Sequence, residues 1–458
     1  MSMHDLTVDT RAEQLRDTLG DRIILAGDPR YDAARMPWNV AIDQRPIAVA
    51  QPETAEEVVD VVRAAVASGL RIAPQSTGHG ARALADSDLS EVVLVSLARL
   101  RGVTVNPAAR TARVLGGSHW NDVIDAAAPH GLTGMHGSAG DVSVAGYALS
   151  GGLSFYGRTH GLAVNHIRAV TLVTAAGALV TASADENSDL FWAVRGGSGA
   201  FGIIVSLEIG LLPYADVFAG MLLWDASRAP EVSRAWSAWT ATAPESATTT
   251  LRIMHFPPLP ELPPFLSGRS LVIIDGAILE TDAAASALLA PLRELGPEMD
   301  TFMRIPAAGL VAVHMDPPEP SPAVAEHAVL SAVPAEAADA FVAAAMASRP
   351  TSSELRHLGG AFARRPDHGG AVARIPGEYL LASVAIVPAP EFEAAAVAAT
   401  HGVVDALADW HTDALALTFV DGGGVDRRAG FGDSGARLAE LKREFDPGNV
   451  LAAGHPIP

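Results

Sequence analysis

His79 stands in the run Ile72-Ala73-Pro74-Gln75-Ser76-Thr77-Gly78-His79-Gly80-Ala81, a single imidazole among small residues just past an apolar stretch that begins at Leu70. An imidazole so placed can act as a nucleophile, and glycines on either side let the backbone approach a bulky planar or phosphorylated ligand closely. A histidine between glycines is also an ordinary turn, so its meaning depends on what else the chain brings to it.

Other glycine loops bear on this. Gly197-Ser198-Gly199-Ala200-Phe201-Gly202 matches the dinucleotide fingerprint G-x-G-x-x-G, which requires a strand before it and a helix after it. The order here is reversed. Residues 185–195 read as a helix with Leu190, Phe191 and Val194 on one face, and a β-branched strand, Ile203–Ile209, follows. The Rossmann reading is rejected, leaving a tight turn that either approaches a ligand or is purely structural. Between Gly137 and Gly157, glycine and serine recur at a density that no packed strand or helix needs, as in a backbone lining for a diphosphate or a ring system. With Gly116-Gly117-Ser118-His119-Trp120, these loops suit one long, extended cofactor.

The positioning elements follow from periodicity. Ile47–Ala50, Leu70–Ala73, Val92–Val95, Thr111–Leu115 and Val170–Thr174 read as strands. Thr54 with Glu57 three residues on has capping-box spacing; Val58, Val59, Val62 and Val66 are assigned to one face of the helix that follows, and Gly69 closes it. His79 therefore lies just past a strand end. Beyond Pro213, alanine-rich helices near residues 282–292 and 335–347 alternate with strand candidates Leu271–Ile274, Ser352–Leu358, Leu380–Val387 and Leu415–Val420. A last amphipathic helix, Gly435–Phe445, stops at Asp446-Pro447-Gly448-Asn449, and the tail beyond it is expected to pack on the first lobe.

A chain of 458 residues exceeds one ordinary core and suits two lobes. Apolar residues make up 49% and charged ones 18%, which favours a well-buried globular protein. A formal net charge of −20 repels nucleic acid and anionic membranes. The absence of cysteine excludes disulfides, thiolate metal sites and thiol nucleophiles, and no metal site is read. The N-terminal residues, Met1–Asp9, are polar and acidic without an apolar signal core, so a cytoplasmic location is expected.

Jointly these segments resemble the FAD-linked oxidases of the vanillyl-alcohol-oxidase/PCMH superfamily, berberine-bridge-enzyme-like branch. The likeness covers nearly the whole chain. It is carried by Tyr31-Asp32-Ala33-Ala34-Arg35 with Trp38-Asn39 and Arg45-Pro46, the Gly-His loop, the Val142–Gly152 segment, Gly161-Leu162-Ala163, Glu186–Gly197, and Arg437-Leu438 with Lys442 and Phe445–Val450. The fold implied is α+β and two-lobed, a PCMH-type FAD-binding domain plus a substrate domain whose antiparallel sheet is covered by helices. The division expected is residues 1–213 for the FAD-binding lobe, 214–424 for the substrate lobe and 425–458 for a segment returning to the first.

The resemblance implies FAD joined through its 8α-methyl carbon to His79. Cofactor-binding positions implied with it are Pro74, Gln75, Ser76, Thr77, Gly78, Gly80 and Ala81; Gly116 and Trp120; Gly137, Ser138, Asp141, Val142, Gly146, Gly151, Gly152, Leu153, Tyr156 and Gly157; Gly202, Ile203 and Val205; and Asn449. Ala139 stands where some relatives carry a second, cysteinyl tether, and Gln75 where many carry arginine. Relatives often place a Tyr-x-Asn motif before the closing helix, where this chain reads Leu417-Thr418-Phe419-Val420-Asp421. The catalytic group must then come from elsewhere, or the reaction needs no base. Candidates are His136, Glu354 and Arg356 on one strand face, His357 on the other, and Tyr379, with His255 and His314 behind them. The activity implied is oxidation of a small alcohol, sugar, amine or phenol, with O2 reoxidising the flavin to give H2O2, by a monomer or homodimer with no nucleic-acid or membrane partner. A dehydrogenase or oxidative cyclase using another acceptor is the alternative within flavoenzymes, and a flavin-retaining binding protein the alternative outside them.

Overall fold

The computed structural model describes residues 10–421 and 425–457; the polar N-terminal stretch Met1–Asp9 lies outside them. Three sheets organise the described chain. The first runs in the order Ile23–Leu25, Ala48–Ala50, Val92–Ser96, Arg71–Gln75, antiparallel at its first pair and parallel at the others. The crossover helix Ala55–Ala67 starts where expected, the Thr54 side chain accepting the Glu57 N–H. The Glu57 carboxylate reaches back to the N–H of Glu53, one residue before the usual capping-box partner, at 2.7 Å. Its buried stripe is Val58, Val61, Val62 and Ala65, whereas Val66 is exposed and Val59 half-buried. The expected face is thus corrected by a fraction of a turn, because the i, i+3, i+4, i+7 set fits the sheet better than four valines chosen by type.

The second sheet, wholly antiparallel, runs Val103–Asn106, Thr111–Leu115, Ile203–Gly210, Ile167–Val173, Leu179–Ser183. The helix Ser188–Gly197 precedes Ile203–Gly210, confirming the reversed order around the dinucleotide look-alike. Val173, Ile203 and Val205 share a core with Ile72, Val93 and the crossover helix, which welds the two sheets into one lobe.

The eight-stranded third sheet is antiparallel throughout, with the long strands Asp216–Asp225, Ser270–Ile278, Ala247–His255, Ser352–His357, Tyr379–Ile386 and Ala323–Leu330 side by side. Helices Ala229–Thr240, Asp282–Arg293, Ala335–Ser348 and Glu393–Asp405 cover one face through Trp236, Leu289, Phe341 and Val403. The opposite face presents Ala219, Ala277, Val329 and Leu380 to the first lobe, in one core with Leu153, Phe155 and Leu162.

The strand expected at Leu415–Val420 is not formed. Leu417–Phe419 is a single 3-10 turn, and Leu415, Leu417, Phe419 and Val420 all pack toward the core between the lobes instead of alternating. The tail does return to the first lobe: Leu451 bridges Ile72 in parallel fashion. Among the described residues no helix is long and apolar enough to cross a membrane.

Candidate functional site

The strand Arg71–Gln75 delivers the His79 loop to the end of the parallel sheet. Gly78 adopts φ +79°, and a Cβ there would lie 2.7 Å from the Cβ of Pro37, so the turn admits no other residue without strain. Trp38 N–H donates to the Thr77 carbonyl at 2.9 Å, pinning the loop from the side. The His79 ring stacks on Trp38 with centroids 4.5 Å apart and a 19° tilt, and its Nδ1 lies 2.8 Å from Thr77 Oγ1. Trp38 Nε1 donates to Asp141 at 2.6 Å, and the same carboxylate oxygen is 3.8 Å from His79 Nε2. That Nε2 is buried and has no hydrogen-bond partner. Burial outweighs the pull of Asp141 and lowers the imidazole pKa to about 4, so the ring is neutral near pH 7 and keeps a lone pair for bonding.

Beside this loop lies a cavity of about 120 Å³ lined by Pro74, Gln75, Ser76, Gly116, Ala145, Gly146, Gly197, Ser198, Gly199, Ile204 and the tail residues Ala453–His455. Sequence-distant loops therefore meet, and the rejected fingerprint takes part as a close-approach turn. Gln75 is held by Gln44 Nε2 at 2.9 Å. Ser143 caps the helix Val144–Leu149, whose Gly146 faces the cavity. The residues present fit part of an extended dinucleotide running past the His79 loop. Small residues line the space, and Ser76 Oγ, His79 Nε2 and His455 Nδ1 are buried without partners.

Several expected cofactor positions sit elsewhere. Trp120 is buried in the first-lobe core, edge-on to Tyr147 at 5.8 Å. Ile203 and Val205 face the inter-sheet core, and strand alternation gives the cavity Ile204 instead. Gly202 lies against the Val173 carbonyl, a close backbone approach within the fold itself, whereas Gly116 lies against the Ile204 carbonyl and also lines the cavity. Gly137 is packed by Tyr147, Tyr156 is stacked on Tyr214 at 5.5 Å, and Gly157 abuts Phe362 of the second lobe. Val142 is half-buried, its carbonyl taking the Trp120 N–H; Ala81 is buried and Gly80 open. Gly151 and Gly152 turn through φ +114° and +76° before Leu153. Asn449 lies in the turn after the last helix, lining a separate groove with Lys442.

Ser138, Leu153, Ser154 and Phe155 of the first lobe meet Thr248, Thr250 and Arg356 of the second around a small space between the lobes. Behind it runs a buried chain of charge. Arg252 Nη2 is 2.6 Å from Asp275, whose Oδ2 is 3.0 Å from His314 Nδ1; His314 Nε2 is 3.1 Å from Glu354, and Glu354 is 2.7 Å from Arg356 Nε. Strand pairing builds it, with Arg252 opposite Glu354 and Thr250 between Asp275 and Arg356. Phe155 of the first lobe lies edge-on to His314 at 6.1 Å. Asp316, 3.9 Å from His314 Nε2, acts electrostatically on both Arg356 and His79. Burial and Arg252 oppose charge on His314, but Asp275 and Asp316 outweigh them and raise its pKa. Burial works against ionisation of Glu354 too, yet Arg356 and His314 hold it well below the usual carboxylate range.

Of the catalytic candidates, Glu354 and Arg356 thus face the cleft with His314. The others do not. His136 is fully buried in the first lobe, Nδ1 against the Gly137 carbonyl at 2.7 Å. His357 Nε2 accepts from Arg158 at 2.6 Å and its ring stacks on Tyr379; the Tyr379 hydroxyl bonds Thr240 at 2.7 Å among the covering helices. His255 bridges Ser270 and Ala345. Sequence reasoning missed Arg252 and Asp275, although a charge inside Leu251-Arg252-Ile253 and Ile274-Asp275-Gly276 is itself a signal of a buried pair. It also missed His455, which no local pattern marks.

In this two-lobed protein the glycine loops converge beside a neutral, unpartnered histidine. Residues 46–183 match the family described as FAD binding domain. Among curated relatives, (R)-6-hydroxynicotine oxidase of Paenarthrobacter nicotinovorans is 35% identical over 213 residues, 46% of this chain and 45% of the relative. Xylooligosaccharide oxidase of Thermothelomyces thermophilus is 36% identical over 173 residues, 38% of this chain and 35% of the relative. The matches span less than half the length of these relatives. The solved structure of BBE-like 1 from Physcomitrella patens superposes with a TM-score of 0.84, covering 98% of this chain and 99% of that one at 21% identity. The chain carries a FAD binding domain within a berberine-bridge-enzyme-like fold.

Proposed function

We propose that the protein is a FAD-dependent oxidase that holds its flavin covalently through His79 and oxidises a small organic molecule in the cleft between the lobes. The observation that carries this is the state of His79: neutral, oriented by Thr77 and Trp38, with Nε2 buried and unpartnered beside the cofactor cavity. The oxidase names of the curated relatives support the reaction class. Bound FAD would accept a hydride from the substrate and pass the electrons to O2 as H2O2.

What this chain adds is placement and charge. The Ser138, Ser154, Thr248 and Thr250 hydroxyls can orient a polar substrate, and Arg356, stacked over Phe419 at 4.9 Å, supplies a fixed cation. Glu354 is held ionised by its partners, and His314 is held protonated between two carboxylates, so neither takes a proton readily. A substrate whose carbon–hydrogen bond is activated by its own lone pair, such as a neutral amine, needs no such base and suits this cleft best.

The test is spectroscopic. Purified protein is expected to be yellow, to keep its colour in the pellet after acid precipitation, and to be bleached anaerobically by a member of an alcohol, sugar, amine and phenol panel. Air should then restore the colour with one H2O2 formed per turnover. Colourless protein, or flavin released wholly to the supernatant, contradicts the covalent reading. Bleached flavin that persists in air points to a dehydrogenase, and no bleaching by any member to a flavin-retaining binding protein.

A further inference from the structure

The C-terminal tail is clamped against the first lobe before it reaches the cofactor loops. Asp446 is buried and accepts the N–H groups of Val450 and Leu451 at 2.8 and 2.9 Å and the ammonium of Lys442 at 2.6 Å. Lys442 also donates to the carbonyls of Ala200 at 2.9 Å and Leu451 at 3.2 Å, tying the tail to the Gly197–Gly202 loop. The Ile72 N–H bonds Val450 and the Ala452 N–H bonds Ile72, so the tail runs beside the strand that leads to His79. These contacts hold His455 over the cavity that Ser76, Gly116, Gly146 and Gly199 line.

His455 Nδ1 is shut off from solvent and has no hydrogen-bond partner. Buried unpaired nitrogens are uncommon in folded proteins and call for a partner, and His455 lines the cofactor cavity. Burial lowers the imidazole pKa to about 4, so the ring carries one proton at neutral pH. The Leu417 backbone favours a proton on the ring, and because Nδ1 is the nitrogen without a partner the proton belongs on Nε2, leaving Nδ1 an acceptor. The missing partner is therefore a donor. The diphosphate of FAD offers none, whereas the hydroxyls of the ribityl chain and of the ribose, the isoalloxazine N3–H and the adenine amine do.

We propose that His455 Nδ1 accepts a hydrogen bond from a donor group of bound FAD, making the C-terminal tail part of the cofactor site. This rests on the reading of the cavity as the FAD site.

The test uses full-length His79→Ala protein purified with its untethered FAD, with release followed by flavin fluorescence on dilution. Adding His455→Ala is expected to speed FAD release about tenfold, the loss of one hydrogen bond to a buried acceptor. His455→Gln, whose side-chain carbonyl can accept, should release FAD within about threefold of the parent. After exchange into riboflavin, a persisting difference assigns the donor to the isoalloxazine–ribityl half and its disappearance assigns it to the adenosine half. Equal release from parent and His455→Ala, or release from His455→Gln as fast as from His455→Ala, overturns the proposal. Wild-type protein that carries no flavin at all would instead overturn the cofactor reading beneath it.

Discussion

His79 lies nearly parallel to the indole of Trp38, ring centroids 4.5 Å apart, while the indole N–H is spent on Asp141, whose carboxylate stands 3.8 Å from His79 Nε2. Stacking fixes the plane of the imidazole, Thr77 Oγ1 fixes its rotation through Nδ1, and only Nε2 is left to bond. A freely rotating histidine would present either nitrogen.

Thr77→Val keeps the shape of the loop and removes the contact to Nδ1. A hydrogen bond of about 1 kcal/mol corresponds to roughly fivefold slower formation of covalent flavin when apoprotein is mixed with FAD. The acid-stable flavin fraction followed over time measures this. An unchanged rate with unchanged melting temperature shows that Thr77 does not orient the ring.

Glu354 and Tyr379 are expected to behave as opposites. Glu354→Ala strands the buried cations Arg356 and His314 and should destabilise the protein by about 3–5 kcal/mol, with loss of turnover. Tyr379→Phe removes one hydrogen bond to Thr240 on the helix-covered side of the sheet, costing about 1 kcal/mol and leaving kcat/KM unchanged. Denaturant midpoints and steady-state rates on the two variants check both. A kcat/KM loss of tenfold or more in Tyr379→Phe would bring that tyrosine back to the chemistry.

Acid should destabilise the fold early. Burial lowers the pKa of His327 to about 4 and of His455 to about 4, and burial with Arg158 lowers that of His357 to about 3. In the unfolded chain these groups titrate near the ordinary value of 6.5, so below that pH the unfolded state holds more protons and stability falls. Asp421, raised by burial to about 6, opposes them, because between its ordinary 3.8 and about 6 it is the folded state that holds the extra proton. The balance is a net uptake of at least about two protons on unfolding at pH 5, or about 3 kcal/mol lost per pH unit. Denaturant midpoints between pH 5 and 6 measure the slope, and a flat profile contradicts the burial of these histidines.

The parallel-sheet loop, the crossover helix and the reversed fingerprint were legible because each is local: a capping threonine, a strand ending at small residues, a helix before rather than after Gly197. The glycine segment was legible as a lining but not residue by residue. Whether Trp120 or Ala145 faces the cavity depends on how the helices Trp120–Ala127 and Val144–Leu149 dock, which sequence spacing does not contain. Strand alternation did place Glu354 and Arg356 together, and against His357. Their partners Arg252, Asp275 and His314 come from two other strands and a loop, and only sheet register joins them. The run at Leu415–Val420 misled because an apolar stretch without alternation fits a buried turn as well as a strand.

The tether itself is tested most directly by intact and peptide mass spectrometry of the denatured wild-type protein beside His79→Ala. The wild type is expected to carry the mass of FAD on the peptide containing His79, and His79→Ala to carry none while remaining folded and binding FAD reversibly. Unmodified wild-type protein, or covalent flavin retained in His79→Ala, would contradict the account.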